Sequence, residues 1–276
     1  DDEHDTDCNV CGDARTDWFN YKVIEGGIQI NEFRGTTERL VFPSEIDNLP
    51  VIAIANYCCG YNTSLVTVEI PDTVKTISGY AFRNCTNLQS IKLPSDLEII
   101  NRYMFYECTS LTEIKIPANV KVIDEYAFAR SGLTSLALPK GLEALSFGAF
   151  QNCASLRALT LSEGIGAIPA QCFYGCSSLN SVTIPESVTE IGERAFMNCA
   201  GLRVVEIPDT TERIAANAFD GCDEVVVYCR TGSLAHRYAV ENTLSYVLTD
   251  AEPVTVTYRI GDADGDGKCD QTISIE

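Results

Sequence analysis

The chain has 276 residues, 45% of them hydrophobic and 21% charged, which is enough apolar content to bury a substantial core. Acids outnumber bases 39 to 20, and the net charge of −19 opposes binding to nucleic-acid phosphates or to an anionic membrane surface. No apolar run approaches the roughly 18 residues of a membrane-spanning helix, so direct membrane insertion is not expected. The opening Asp1-Asp2-Glu3 is the reverse of a basic signal-peptide start and fits a mature form or an excised fragment.

The acidity is concentrated at the ends. Residues 1–17 carry seven acids against one base, and residues 250–276 carry seven against two. Two acidic flanks around a near-ordinary body imply tails beside one main domain. In the first tail, His4, Cys8 and Cys11 have metal-ligand types at a workable spacing but lack a fourth ligand, so residues 1–17 read as an acidic Cys-x-x-Cys tail. Residues 18–36 follow. Phe19 to Ile24 and Ile28 to Ile30 flank Glu25-Gly26-Gly27 and predict a capping hairpin around a glycine turn.

Residues 37–224 are built on an internal repeat. With Leu65 as position one, the pattern restarts at Leu88, Leu111, Leu133, Leu156, Leu179 and Leu202, at spacings of 23, 23, 22, 23, 23 and 23. A longer first coil of 28 residues begins at Thr37, giving eight coils. Positions four and six are apolar in every coil (Val68 and Ile70, Ile91 and Leu93, and so on), the alternation of a short strand with one buried face. Position seven is proline in seven coils and Ser162 in the other; proline cannot donate to a ladder, so the strand ends there. Positions ten and thirteen form a second inward pair, apolar except for Thr211. Positions seventeen and eighteen, as in Ala81-Phe82 and Ala127-Phe128, predict a short helical turn that drops an aromatic plug into each coil. At about 4.8 Å per coil the stack would be roughly 38 Å long.

The run Leu-x-x-Val-x-Ile-Pro followed by Val-x-x-Ile-Gly-x-x-Ala-Phe-x-x-Cys, at Leu179 to Cys199, resembles the BspA-type leucine-rich repeat family of bacterial surface proteins, and the similarity spans residues 18–249. The resemblance implies a β-rich leucine-rich repeat solenoid, a curved right-handed superhelix of short strands and short helical turns. It also implies a role in contact with other proteins, extracellular or at a bacterial cell surface, and no reaction. Such a stack needs its ends covered. Residues 225–249 supply the C-terminal cap: a strand from Val225 to Tyr228, a helix from Leu234 to Asn242 with Ser233 as N-cap, and a strand from Leu244 to Leu248.

Six of the thirteen cysteines, Cys85, Cys108, Cys153, Cys176, Cys199 and Cys222, share position twenty-one. Stacking would put neighbouring Cα atoms within a disulfide's reach, yet the same position holds Asn62 and Ser131. Small polar capacity is what the three residue types share, and it favours a structural ladder of buried thiols over disulfides.

Residues 250–276 form an acidic linker with a partial calcium-loop-like segment. Asp262, Asp264, Asp266 and Asp270 occupy loop positions one, three, five and nine, with Gly267 at six. The segment resembles the first half of a type I dockerin, but Ile273 stands where position twelve needs a carboxylate. Weak calcium binding is the only cofactor it implies.

Catalysis has little to work with. The histidines are His4 in a tail and His236 in the cap helix, and Cys229 with His236 is the nearest approach to a nucleophile pair. What remains is surface. Positions three and five of the first strand project outward as two columns that include Arg39, Thr67, Glu69, Ser90, Lys92, Glu113, Lys115, Ser135, Thr160, Ser181, Thr183 and Glu206. The expectation is a non-catalytic protein-interaction or adhesion module that binds a protein partner through this strand face; the alternative is a structural spacer that positions neighbouring modules through its tails.

Overall fold

The computed structural model describes residues 18–250, together with the backbone of 258–259 and 272–273, which pair antiparallel. It is a β-solenoid of about ten turns, caps included, with one short helix among the described residues. Most coils contribute a three-residue first strand and a two-residue second strand, and within a sheet each pairs in parallel with its equivalent in the next coil. Arg39, Leu40 and Val41 lie opposite Thr67, Val68 and Glu69, which lie opposite Ser90, Ile91 and Lys92. On the second strand Val122-Ile123 pairs with Ile99-Ile100 on one side and Ala144-Leu145 on the other.

Neither column is unbroken. The first strands form three sheets, over coils one to three, coils five and six, and coils seven and eight with the C-terminal cap. Glu113 to Lys115 of coil four, expected as a strand, joins none of them. One break lies between coils six and seven, and the other falls on the coil that is one residue short. Its corner is drawn tight at Gly132, where an added Cβ would stand 2.1 Å from the Thr109 carbonyl oxygen.

The plug segments are not helical. Residues sixteen and twenty adopt left-handed backbone in nearly every coil, as at Tyr80 (φ 62°), Asn84 (58°), Tyr126 (52°) and Arg130 (59°). This turns alternate N–H groups along the solenoid axis. Tyr80 N donates to Arg102 O at 3.0 Å, Phe82 N to Met104 O at 3.1 Å and Asn84 N to Tyr106 O at 2.8 Å. Donors spent between coils cannot close a helix within one, so the expected helical turn becomes a third inter-coil ladder.

The core runs without interruption from Phe19 in one cap to Ala239 in the other. At its centre the position-eighteen rings stack from Phe82 to Phe219, with centroids 5.2 to 5.8 Å apart. Coil one has Cys59 at that position, and Phe42 from its first strand supplies the ring instead, 6.4 Å from Phe82 and edge-on. Both caps continue the stack: Phe19 meets Phe42 at 5.5 Å, and Tyr238 of the helix meets Phe219 at 6.0 Å.

The N-terminal cap is the expected hairpin, Phe19–Ile24 against Gly27–Phe33, and its second strand pairs in parallel with Leu49–Ile54 of coil one. The C-terminal cap has strands Val226–Cys229 and Ser245–Leu248 around the helix Leu234–Glu241, whose N-cap Ser233 accepts from His236 N at 3.1 Å. Both residues that depart from the repeat are accommodated by hydrogen bonds. Buried Thr211 donates its hydroxyl to Val188 O at 3.2 Å, and Ser162 donates to Lys140 O while accepting from Gly164 N, both at 3.2 Å.

Candidate functional site

The outward columns of the first strand lie where the alternation puts them. Arg39, Ser90, Lys92, Glu113, Lys115, Ser135, Thr160, Ser181, Thr183 and Glu206 are exposed, and Thr67 and Glu69 are half-buried. The structure brings some of them together. Lys92 Nζ meets Glu69 Oε1 across adjacent strands at 2.6 Å, and this hydrogen bond and charge hold the lysine above its ordinary pKa. Thr183 donates to Glu206 at 3.5 Å. Glu113 and Lys115, in the coil without a first strand, stay exposed and make no ion pair among the described residues. Two shallow grooves, of about 900 and 880 Å³, follow the second strands instead, one along Glu190 to Glu193 and Glu212 to Ala216, the other along Asp96 to Ile99 with Asn119 and Lys121.

At position twenty-one each thiol reaches back one coil to the position-eighteen carbonyl. Cys85 donates to Cys59 O at 3.0 Å, Cys108 to Phe82 O at 3.2 Å, Cys153 to Phe128 O at 3.1 Å and Cys176 to Phe150 O at 3.3 Å. Cys199 and Cys222 do the same to Phe173 O and Phe196 O, each at 3.1 Å. Asn62 fills the role with its amide, donating to Gly35 O at 3.1 Å, and Ser131 sits 3.4 Å from the Cys153 sulfur. All ten described cysteines are free and buried. Burial pushes the Cys85 thiol up to about 12 and Cys153 up to about 11, which removes the thiolate.

A further face carries what the sequence reading passed over. Tyr57, Tyr80, Tyr103 and Tyr126, at position sixteen of coils one to four, form a column of rings stacked at 4.7, 4.9 and 4.9 Å, closed edge-on by Phe147 at 5.4 Å. Tyr61 and Tyr106 flank it. The Arg83 guanidinium stands 5.0 to 5.8 Å from the rings of Tyr61, Tyr80, Tyr103 and Tyr106, and Arg102 lies 5.8 Å from Tyr80. Arg130 pairs with Glu107 at 2.9 Å, and Asn84 also donates to that carboxylate. Burial works against the Glu107 charge, but these two bonds outweigh it and hold the carboxyl below its usual pKa. Partial burial raises the Tyr103 and Tyr126 hydroxyls. Position sixteen is left-handed, a conformation that costs a non-glycine residue about 1 kcal/mol or more. Coil five has Gly148 there. The 23-residue spacing of the four tyrosines was the available signal, but nothing in the sequence marks position sixteen as outward.

The BspA type leucine rich repeat region matches in six copies over residues 52–165 and 98–226. The chain belongs to the BspA-type leucine-rich repeat family. Solved structures agree. A leucine-rich repeat protein of T. pallidum is 32% identical, with 68% of this chain and 90% of that one covered at a TM-score of 0.65. A leucine-rich repeat protein of Bacteroides ovatus, 21% identical, shares the fold at a TM-score of 0.67 over 85% of this chain and 67% of that one. No protein of curated function matches the chain.

Repeats of the BspA type and their structural relatives are typically non-catalytic and generally mediate protein–protein contact. The described residues of this BspA-type chain assemble no nucleophile pair. His236 commits Nδ1 to accepting from Gly232 N at 3.0 Å and packs on Tyr246, while the buried Cys229 sulfur points at Val227 O, 4.0 Å away. No helix of the structure is long and apolar enough to cross a membrane. Among the described residues no three His, Cys, Asp or Glu side chains gather as a metal site. His4, Cys8 and Cys11, and the calcium-loop candidates Asp262, Asp264, Asp266 and Asp270, lie outside the described residues.

Proposed function

We propose that the BspA-type repeats form a non-catalytic module of a bacterial surface or secreted protein that binds a protein partner through the exposed first-strand face. One observation carries this reading. Every coil invests its apolar side chains in one continuous core, while positions three and five are left as rows of outward side chains repeating at strand spacing. A rigid surface of that kind costs little entropy to bind. The calcium-like segment at Asp262 to Asp270 would be an accessory to this role, since the face is complete without it.

The test is capture from host and bacterial surface extracts by the full chain and by Glu69→Ala/Lys92→Ala/Glu113→Ala/Lys115→Ala, with and without calcium. The reading expects one protein to be retained by the parent in either condition and lost, by about tenfold or more, from the variant. Capture that needs calcium and ignores the four substitutions would move binding to the tail and leave the repeats as a spacer.

A further inference from the structure

We propose that the tyrosine–arginine face of coils one to four is a second interaction surface, which binds an extended acidic segment of a partner protein with the partner's carboxylates on Arg83 and Arg102. The proposal does not depend on the strand-face reading.

Charge is the first argument. In a chain with 39 acids and 20 bases, seven ion pairs are formed among the described residues, and the face itself holds one of them, Arg130 with Glu107. Arg83 and Arg102 have none. Arg83 Nε donates to Asn84 Oδ1 at 3.1 Å, and among the described residues its terminal nitrogens make no hydrogen bond. Four rings hold this guanidinium in place, so its fork is aimed before any partner arrives. Gly79 makes room for Arg102: an added Cβ there would stand 2.8 Å from the Arg102 carbonyl oxygen and 3.1 Å from its Cγ.

Backbone conformation is the second. Positions sixteen and twenty are left-handed along the solenoid; glycine or asparagine meets that demand at Asn84, Gly148, Asn152, Gly175, Asn198 and Gly221, and Gln171 and Arg194 carry longer side chains there on coils six and seven. On this face the same positions carry Tyr57, Tyr61, Tyr80, Tyr103, Glu107, Tyr126 and Arg130. Bulky side chains stand where the backbone disfavours them, and they are densest on this face. A strained position that persists points to use rather than to packing, and Tyr57 and Tyr61 are 45% and 58% exposed.

Ring geometry selects the occupant. Tyr80 lies between Tyr57 and Tyr103, and Tyr103 between Tyr80 and Tyr126, so both faces of each ring are filled. A sugar ring has no face to stack on there. What the column presents is hydroxyl-bearing edges beside guanidinium forks, donors that fit peptide carbonyls and carboxylates. The face contains Tyr, Arg and Asn and no Lys, and its one carboxylate, Glu107, is taken up by Arg130 and Asn84, so aromatic and arginine groups of the kind that protein interfaces concentrate at their energetic centres are what it leaves open.

The experiment is fluorescence anisotropy of a labelled random Glu/Tyr copolymer titrated with the full chain. Saturable binding is expected, weakened about tenfold or more by Arg83→Gln/Arg102→Gln and by Tyr80→Gly/Tyr103→Gly. The glycine pair relaxes the backbone as Gly148 does, which separates lost binding from lost folding. Arg157→Gln/Arg194→Gln, an equal charge change on other coils, and Glu69→Ala/Lys92→Ala on the strand face are expected to leave binding within about twofold. Three results would overturn the proposal: no saturable binding, equal weakening by the Arg157 and Arg194 control, or polygalacturonate competing as well as the peptide copolymer. Self-association abolished by the Arg83 and Arg102 changes, seen by sedimentation without copolymer, would assign the face to a second copy of the chain and also overturn it.

Discussion

At the scale of single residues, position twenty-one shows how one backbone demand selects chemically different side chains. A thiol at this position donates to the position-eighteen carbonyl of the preceding coil, as at Cys108, an amide at Asn62 donates to Gly35 O before coil one, and the Ser131 hydroxyl meets the Cys153 sulfur of the following coil. The common role was legible because the substitutions are isofunctional rather than isosteric. The partner atom was not, since it belongs to another coil. Burial raises the thiols of Cys85, Cys108, Cys153 and Cys176, and at the end of the ladder a hydrogen bond between Cys199 and Cys222 raises the first and lowers the second; all six are buried out of reach, so iodoacetamide applied to the native protein at pH 8 should leave Cys85, Cys108, Cys153, Cys176, Cys199 and Cys222 unmodified, and modify all six once denaturant is added. Peptide mapping would read the outcome, and labelling of the native chain at any of the six would refute the buried ladder.

At the scale of elements, strands were easier to foresee than the turns between them. Alternation at positions four and six places a strand wherever both side chains are buried, and Leu136 with Leu138 or Val182 with Ile184 obeys it. Ile114 of coil four has the same pattern but is only half-buried and forms no strand, whereas Leu159 of coil six, also half-buried, does. The Ala-Phe spacing of the plug segment predicts a helical turn. Its donors go to the next coil, a long-range fact that no local pattern carries. For the same reason the tyrosine column was missed: position sixteen points outward only in the left-handed backbone. The capping hairpin makes an element-scale prediction. Gly27 has φ +157°, and an added Cβ would stand 2.3 Å from Pro50 O of the strand it pairs with. Gly27→Ala should therefore cost about 2 kcal/mol or more by urea unfolding and loosen the hairpin from coil one. The same change at Gly166, where nothing lies within 4 Å, should be nearly neutral.

At the scale of the whole molecule, each coil touches only its neighbours, so stability is a chain of interfaces, and the phenylalanine column is where they couple most directly. Removing one ring should cost about 3 to 5 kcal/mol wherever it lies, by the ordinary penalty for emptying a buried aromatic site. Where it lies should decide how that cost appears. Phe150 stacks at 5.4 Å on Phe128 and at 5.5 Å on Phe173, so Phe150→Ala opens a gap between two blocks of about four coils, each attached to one cap. Either block retains a core of its own, and unfolding should separate into two transitions by calorimetry. Phe219 has only Phe196 and the cap residue Tyr238 beside it, so Phe219→Ala leaves seven coils coupled and releases the C-terminal end alone. Hydrogen exchange should then rise over 202–250 and stay slow in the central coils. A single cooperative transition in both variants, with equal loss of protection from cap to cap, would mean that the solenoid folds as one unit despite its one-dimensional contacts.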